Sequence, residues 1–261
     1  MKILECRSYE EINTIIQNIE LERYQKSQIF NEFYRGQPNN HYKLLPNLFR
    51  QSDTIDNFSL KEKRVFEAFS KLAKTDMGLQ SNPEFEKYLY GLKWSLLTQG
   101  QHLGLLTRLL DWTINWEIAL LFAVFDQNHI KEDAQLWILK CPSQHQINDS
   151  DKSVLLEQDP FKINNWYLIN LPFFQWEPND LAERRRFRQY GRFLIQPIEN
   201  AVFPIENQMS FSDNLLKIVI PAAYKMMILK DLNDRDVTID WAYYRKNEEI
   251  DNRIIGVNME Q

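Results

Sequence analysis

The tightest constraint on this chain is charge placed inside apolar sequence. Phe33-Tyr34-Arg35-Gly36, and the longer run Gln99-Gly100-Gln101-His102-Leu103-Gly104-Leu105-Leu106-Thr107-Arg108-Leu109-Leu110-Asp111-Trp112-Thr113, set two arginines, a histidine and an aspartate among residues apolar enough for a core. A buried ion is costly unless a partner holds it. Either these groups satisfy one another, with Arg35, Arg108 and Asp111 as an ion network knitting a strand to a helix, or they hold a ligand.

A core is affordable in a chain of 261 residues with 44% hydrophobic and 13% aromatic content. The net charge of -5 argues against a sequence-independent nucleic-acid coat, which is basic overall. Cys6 and Cys141 are the only cysteines, too few for a disulfide scaffold and without zinc spacing, so no metal is expected. Charge at Lys2, Glu5 and Arg7 precedes any signal-peptide core, and no run reaches the ~18 apolar residues of a membrane helix. The expectation is a soluble, cytoplasmic protein without a membrane partner.

Periodicity gives the frame. Ile12, Ile15, Ile16 and Ile19 recur at helical spacing behind Ser8, Glu10 and Glu11, a helix expected to act as a lid or flank. Residues 28–37 read as a strand with Phe33 and Arg35 on one face and Tyr34 on the other. Residues 60–74 and 88–99 read as helices, and 114–125 as a buried helix capped by Thr113 or Asn115. Strands are expected at 135–140, 192–196, 215–221 and 236–244, with 141–159 a polar loop. The sum is an α+β fold, one domain over 1–261, with a helical layer on a mostly antiparallel sheet. Its motif core spans about 28–125 and its strand-rich half about 135–250.

Tyr34-Arg35-Gly36-Gln37, then Tyr42-Lys43-Leu44-Leu45-Pro46 and Arg50, resembles the opening motif of the FRG domain. Gln101-His102-Leu103-Gly104, Thr107-Arg108-Leu109-Leu110-Asp111-Trp112-Thr113 and Ala119-Leu120-Leu121-Phe122-Ala123 resemble its central motif, and Arg188-Gln189-Tyr190-Gly191-Arg192-Phe193 a later one. Leu106 stands where a Pro is common and Asn115 where a small residue is common. More distantly, the layout is similar to that of NAD-dependent ADP-ribosyltransferases: an Arg-Gly strand, a Ser/Thr strand, a buried helix. That likeness implies NAD as substrate and a macromolecular acceptor, as in a toxin or defence effector. It also implies a first-strand Arg holding the dinucleotide and a late Glu assisting transfer.

The chemistry asks for those types. Cleaving the nicotinamide–ribose bond gives an oxocarbenium-like transition state, which needs a grip on the diphosphate and negative charge near the ribose. Arg35, His102, Thr107 and Glu183 are the candidate catalytic residues; Tyr34, Arg35, Gly36, Thr107, Asp111, Trp112 and Thr113 are the candidate NAD-binding ones. Glu177 and Gln189 compete with Glu183 for the late position. Gly36 and Gly104 are read as leaving room for a ligand. Each residue also has a plain structural reading: Asp111 and Thr113 as helix caps, His102 and Trp112 as core residues. Arg184, Arg185, Arg186, Arg188 and Arg192 form either a solvated, salt-bridged helix face or a contact for nucleic acid or phosphate, with Arg184, Arg185 and Arg188 foremost. The alternative function is a non-catalytic nucleotide- or nucleic-acid-binding module. No G-x-S-x-G, P-loop or G-x-G-x-x-G occurs among the 7 glycines.

Overall fold

The computed structural model describes residues 1–26, 30–50, 53–75, 84–171, 189–208, 211, 213–243 and 257–258. Among them are strands β1 (Lys2–Glu5), β2 (Phe30–Gln37), β3 (Leu109–Thr113), β4 (Ala134–Pro142), β5 (Gln146–Ile147), β6 (Tyr167–Ile169), β7 (Gly191–Ile195) and β8 (Leu215–Ile220). They join in one sheet ordered β1-β8-β4-β2-β3-β7-β6-β5. The two edge pairings, β1–β8 and β5–β6, are parallel and the others antiparallel, so the α+β reading with a mostly antiparallel sheet holds.

Helices α1 (Tyr9–Lys26), α2 (Ile55–Thr75), α3 (Gly91–His102), α4 (Trp116–Val124), α5 (Lys152–Leu156), α6 (Ala222–Asn233) and α7 (Ile239–Tyr243) accompany the sheet. Ile12, Ile16 and Ile19 of α1 bury against α4, α6 and the sheet residues Tyr34, Leu136 and Ile218. Phe69 of α2 and Trp94 of α3 bury with Leu109, Phe193 and Ile195. Tyr34 pairs with Thr113 and Asp111 with Phe193, so both clusters lie on one face of the sheet. The opposite face buries Phe33, Leu110, Trp112, Trp137 and Leu194 under Leu44, Ile205 and Phe211. Each such large side chain contributes about 1.5–3 kcal/mol when fully buried.

Two tertiary devices fix the middle of this layout. At Gly36, α4 crosses β2 so closely that an added Cβ would sit 1.7 Å from the Ala119 carbonyl oxygen, and only glycine admits that approach. At Arg108, the guanidinium and Glu62 of α2 form an ion pair with both side chains 1% exposed, tying α2 to the start of β3.

Several expected elements differ. Residues 109–113 form a strand rather than leading directly into the helix, and α4 is capped by Asn115, whose side chain accepts from Glu117 N and Ile118 N at 2.9 and 3.2 Å. Asp111 is therefore not a cap. Helix α1 is part of the core, not a lid. The expected loop at 141–159 contains β5 and α5. The expected strand at 236–244 is helix α7 over its described part: Thr238 Oγ1 accepts from Trp241 N and Thr238 O from Ala242 N, a local turn that starts a helix. No described helix is long and apolar enough to cross a membrane.

Candidate functional site

The site begins where the sheet opens. β2 pairs with β4 from Phe30 to Gln37, yet with β3 it bridges only at Tyr34 and Thr113. Continuing that register would set Arg35 opposite Trp112 and Gly36 opposite Asp111; the strands part there instead. Arg35 takes over part of the lost pairing, its Nη1 donating to the Asp111 carbonyl at 2.5 Å, with Asp111 Oδ2 4.0 Å from the same nitrogen.

A short relay holds the carboxylate. Leu109 N donates to Thr107 Oγ1 (3.0 Å), Thr107 Oγ1 donates to Gln101 Oε1 (2.5 Å), and Gln101 Nε2 donates to Asp111 Oδ2 (2.8 Å). The hydroxyl therefore fixes which end of the Gln101 amide faces the aspartate.

Above this lies a cleft of about 520 Å³, lined by Arg35, Gly36, Pro38, Asn47, Gln101, His102, Leu103, Gly104, Asp111, Phe122, Phe125, Asp126 and Gln189. It narrows into a recess of about 50 Å³ bounded by Tyr34, Arg35, Gly36, His102, Asp111, Trp112, Thr113 and Gln189, among others. Two of these residues carry N–H groups, Arg35 Nε and Trp112 Nε1, that are buried and have no hydrogen-bond partner among the described residues.

Desolvation governs the electrostatics. Burial lowers the Arg35 pKa to about 10, against the attraction of Asp111 and with help from Arg50; the group is still a cation at neutral pH. Burial raises Asp111 above the usual carboxylate value, although Arg35, Gln101 and Arg50 pull it down. The Asp111 side chain is 44% exposed, so water in the cleft screens its field.

The structure brings together Tyr34, Arg35, Gly36, His102, Asp111, Trp112 and Thr113, residues some 65 or more positions apart in two motifs. It sets Thr107 behind the wall: fully buried, it acts on the cleft only through Gln101. His102 ends α3 with its ring edge-on to Phe193, centroids 5.2 Å apart. Trp112 is 2% exposed and packs in the core with Phe33, Trp137 and Leu194, so it offers no stacking surface. Thr113 Oγ1 donates to Gln189 O at 2.7 Å and accepts from Asn115 N. Gly36 makes room for α4 and also lines the cleft and its recess, and Gly104, at φ 94°, turns the chain into the cleft wall. The expected network splits in two, Arg35 with Asp111 and Arg108 with Glu62. Arg192 lies on β7 and its Nε donates to Asn170 Oδ1 at 2.5 Å, so it belongs to the sheet. Glu177, Glu183, Arg184, Arg185, Arg186 and Arg188 lie outside the described residues.

Sequence reasoning missed Gln101, present in the motif but given no role, and the rim residues Asn47, Phe125 and Asp126, which carry no local signal. It also missed Lys225. Fully buried on α6, Lys225 Nζ donates to the carbonyls of Pro38, His129 and Glu132 at 3.0, 2.8 and 3.2 Å and so pins the turns on both sides of the Asp126 rim.

The family profile described as FRG domain matches residues 31–132. That segment supplies every cleft residue named above except Gln189. No curated protein and no solved structure matches the chain.

Proposed function

We propose that the cleft binds NAD and that the chain acts as an ADP-ribosyltransferase-like enzyme, passing ADP-ribose to a macromolecular acceptor or to water. The observation that supports this most is that Arg35 and Asp111 open onto one cleft, with Gln189 of the late element at its side. A cation and a carboxylate in one groove suit a substrate that carries a diphosphate and develops positive charge at its ribose. Arg35 commits Nη1 to Asp111 and brings its positive charge to the cleft; Arg50, close enough for its charge to act on both Arg35 and Asp111, adds to the positive potential. In the reaction, the bond between ribose C1′ and the nicotinamide nitrogen breaks, and its electron pair leaves with nicotinamide. The screened carboxylate of Asp111 steadies the cationic sugar, and an acceptor nucleophile bonds to C1′ and gives up its proton, which His102 of the cleft lining accepts.

The alternative, a non-catalytic nucleotide-binding module, has one observation in its favour: Asp111 Oδ2 already accepts from Gln101, so the carboxylate is partly spent on structure. Incubation with NAD labelled in the adenylate moiety, with and without cell extract, separates the two. Release of nicotinamide or labelled acceptor supports the enzyme; binding of NAD without turnover by folded protein supports the module.

A further inference from the structure

Three side chains from opposite ends of the family segment meet beside the Asp126 rim. The Tyr42 hydroxyl lies 2.9 Å from His129 Nε2, and His129 Nδ1 lies 2.7 Å from Glu132 Oε2. A carboxylate only accepts, so the imidazole proton sits on Nδ1 and the Nε2 lone pair faces the phenol. The result is a hydroxyl–imidazole–carboxylate relay, the order in which a neutral hydroxyl is made into a nucleophile. One buried ammonium holds the backbone beneath it: Lys225 Nζ donates to the carbonyls of His129 and Glu132, and to that of Pro38 at the start of the turn to Tyr42. Gln135 Nε2 donates to the Tyr42 carbonyl at 2.7 Å, and the Tyr42 and His129 rings pack edge to face with centroids 5.5 Å apart. The relay therefore sits on a fixed base rather than on free loops.

The relay borders the cleft. Asp126, which lines it, has Oδ2 4.0 Å from His129 Nε2, and Pro38 and Asn47, on either side of Tyr42 in sequence, line it as well. Arg50 is close enough for its charge to act on both Asp111 and Tyr42. Tyr42 is 40% exposed, so an electrophile can reach its oxygen. We propose that Tyr42 is a self-modification site, where His129 takes the phenolic proton and the oxygen accepts the group transferred from the cleft substrate. The proposal rests on the NAD reading only for the identity of that group. On that reading the bond between ribose C1′ and the nicotinamide nitrogen breaks, and its electron pair leaves with nicotinamide. Tyr42 Oη bonds to C1′, its proton passes to His129 Nε2, and Glu132 and Asp126 face the imidazolium that forms. Glu132 acts only through His129, as a positioning residue.

Two measurements on the full chain test it. N-acetylimidazole transfers its acetyl group to phenols whatever the cleft binds, and it should acetylate Tyr42 at least about tenfold faster than Tyr24, although Tyr24 is 86% exposed and the more accessible of the two. His129→Gln should remove that advantage. Glu132→Ala should lower the ratio of Tyr42 to Tyr24 labelling as well, and Glu132→Gln, which still accepts from Nδ1, should restore part of it; a melting curve on each variant establishes that it is folded. Incubation with NAD followed by peptide mass spectrometry should then find one ADP-ribosyl group on Tyr42, absent from Tyr42→Phe. Acetylation of Tyr42 no faster than that of Tyr24, or a Tyr42 rate untouched by His129→Gln, would overturn the proposal. Nicotinamide release with Tyr42 unmodified would overturn it too and leave the NAD reading in place. No nicotinamide release would remove the NAD reading, while fast, His129-dependent acetylation would uphold Tyr42 as the acceptor of another electrophile.

Discussion

Gln101 Nε2 donates to Asp111 Oδ2 at 2.8 Å, and the amide's other end is fixed by the Thr107 hydroxyl. A helix end thereby orients a strand carboxylate ten residues later, and the cleft inherits a preset acceptor rather than a mobile one. Preset polar groups are what a site needs to stabilise charge without reorganising.

Removing the head of this relay should expose its role. Thr107→Val keeps the shape but leaves Gln101 Oε1 and Leu109 N without partners in a buried setting, a loss of about 1–3 kcal/mol. Urea unfolding should show that cost. NAD turnover should fall more steeply than stability alone accounts for, since the amide is then free to flip; turnover at the wild-type rate would mean that the relay does not orient Asp111.

The Arg108–Glu62 pair should behave as structure and not as site. Glu62→Leu strands a cation that is 1% exposed and should cost about 3–5 kcal/mol, whereas Glu62→Leu combined with Arg108→Met should recover much of it. Denaturation of the two variants checks this. Ligand binding by the double variant should match wild type.

Gly36→Ala is expected to destabilise severely, because the new methyl would overlap the Ala119 backbone and α4 would have to lift off β2. A thermal melt reads it directly. An unchanged melting temperature would show that the crossing is looser than described.

The acid limb of stability carries the sign of Asp111. Its carboxyl titrates above the ordinary value, chiefly from burial, so the folded state holds the proton more tightly than the unfolded chain. The contribution is fully present below the unfolded pKa and is lost as pH rises through the folded one. The stability of wild type relative to Asp111→Asn should therefore fall as pH rises from the unfolded carboxyl value of about 4, which a series of urea titrations measures. A rise over that range would mean that Arg35 and Gln101 outweigh desolvation.

Much of this was legible because local and tertiary demands agree. Strand β2 declares itself through aromatic alternation ended by Gly36 and Pro38, α4 through an unbroken apolar run, and the Arg35 and Asp111 motifs through charge that a core does not tolerate. Strand β3 was hidden because Leu109 to Thr113 is buried on both faces, which erases the alternation that marks a strand. Helix α6 was hidden for a related reason: its inward face includes Lys225, an ammonium made burial-compatible by three carbonyls that no sequence window contains. The packing role of Gly36 was not legible because the neighbour that needs its missing side chain is a helix 80-odd residues away. The rim at Asn47, Phe125 and Asp126 had no signal at all, being brought to the cleft by the turn geometry around Pro38 and His129.

The most direct measurement is a calorimetric titration of the folded chain with ADP-ribose and with NAD, repeated on Arg35→Lys. The account predicts binding of both at one shared site and a loss of at least about tenfold in Arg35→Lys, because lysine keeps the charge but lacks the planar set of donors that spans Asp111 and a ligand at once. Folded wild-type protein that gives no heat with either compound, or Arg35→Lys that binds both as wild type does, would contradict it.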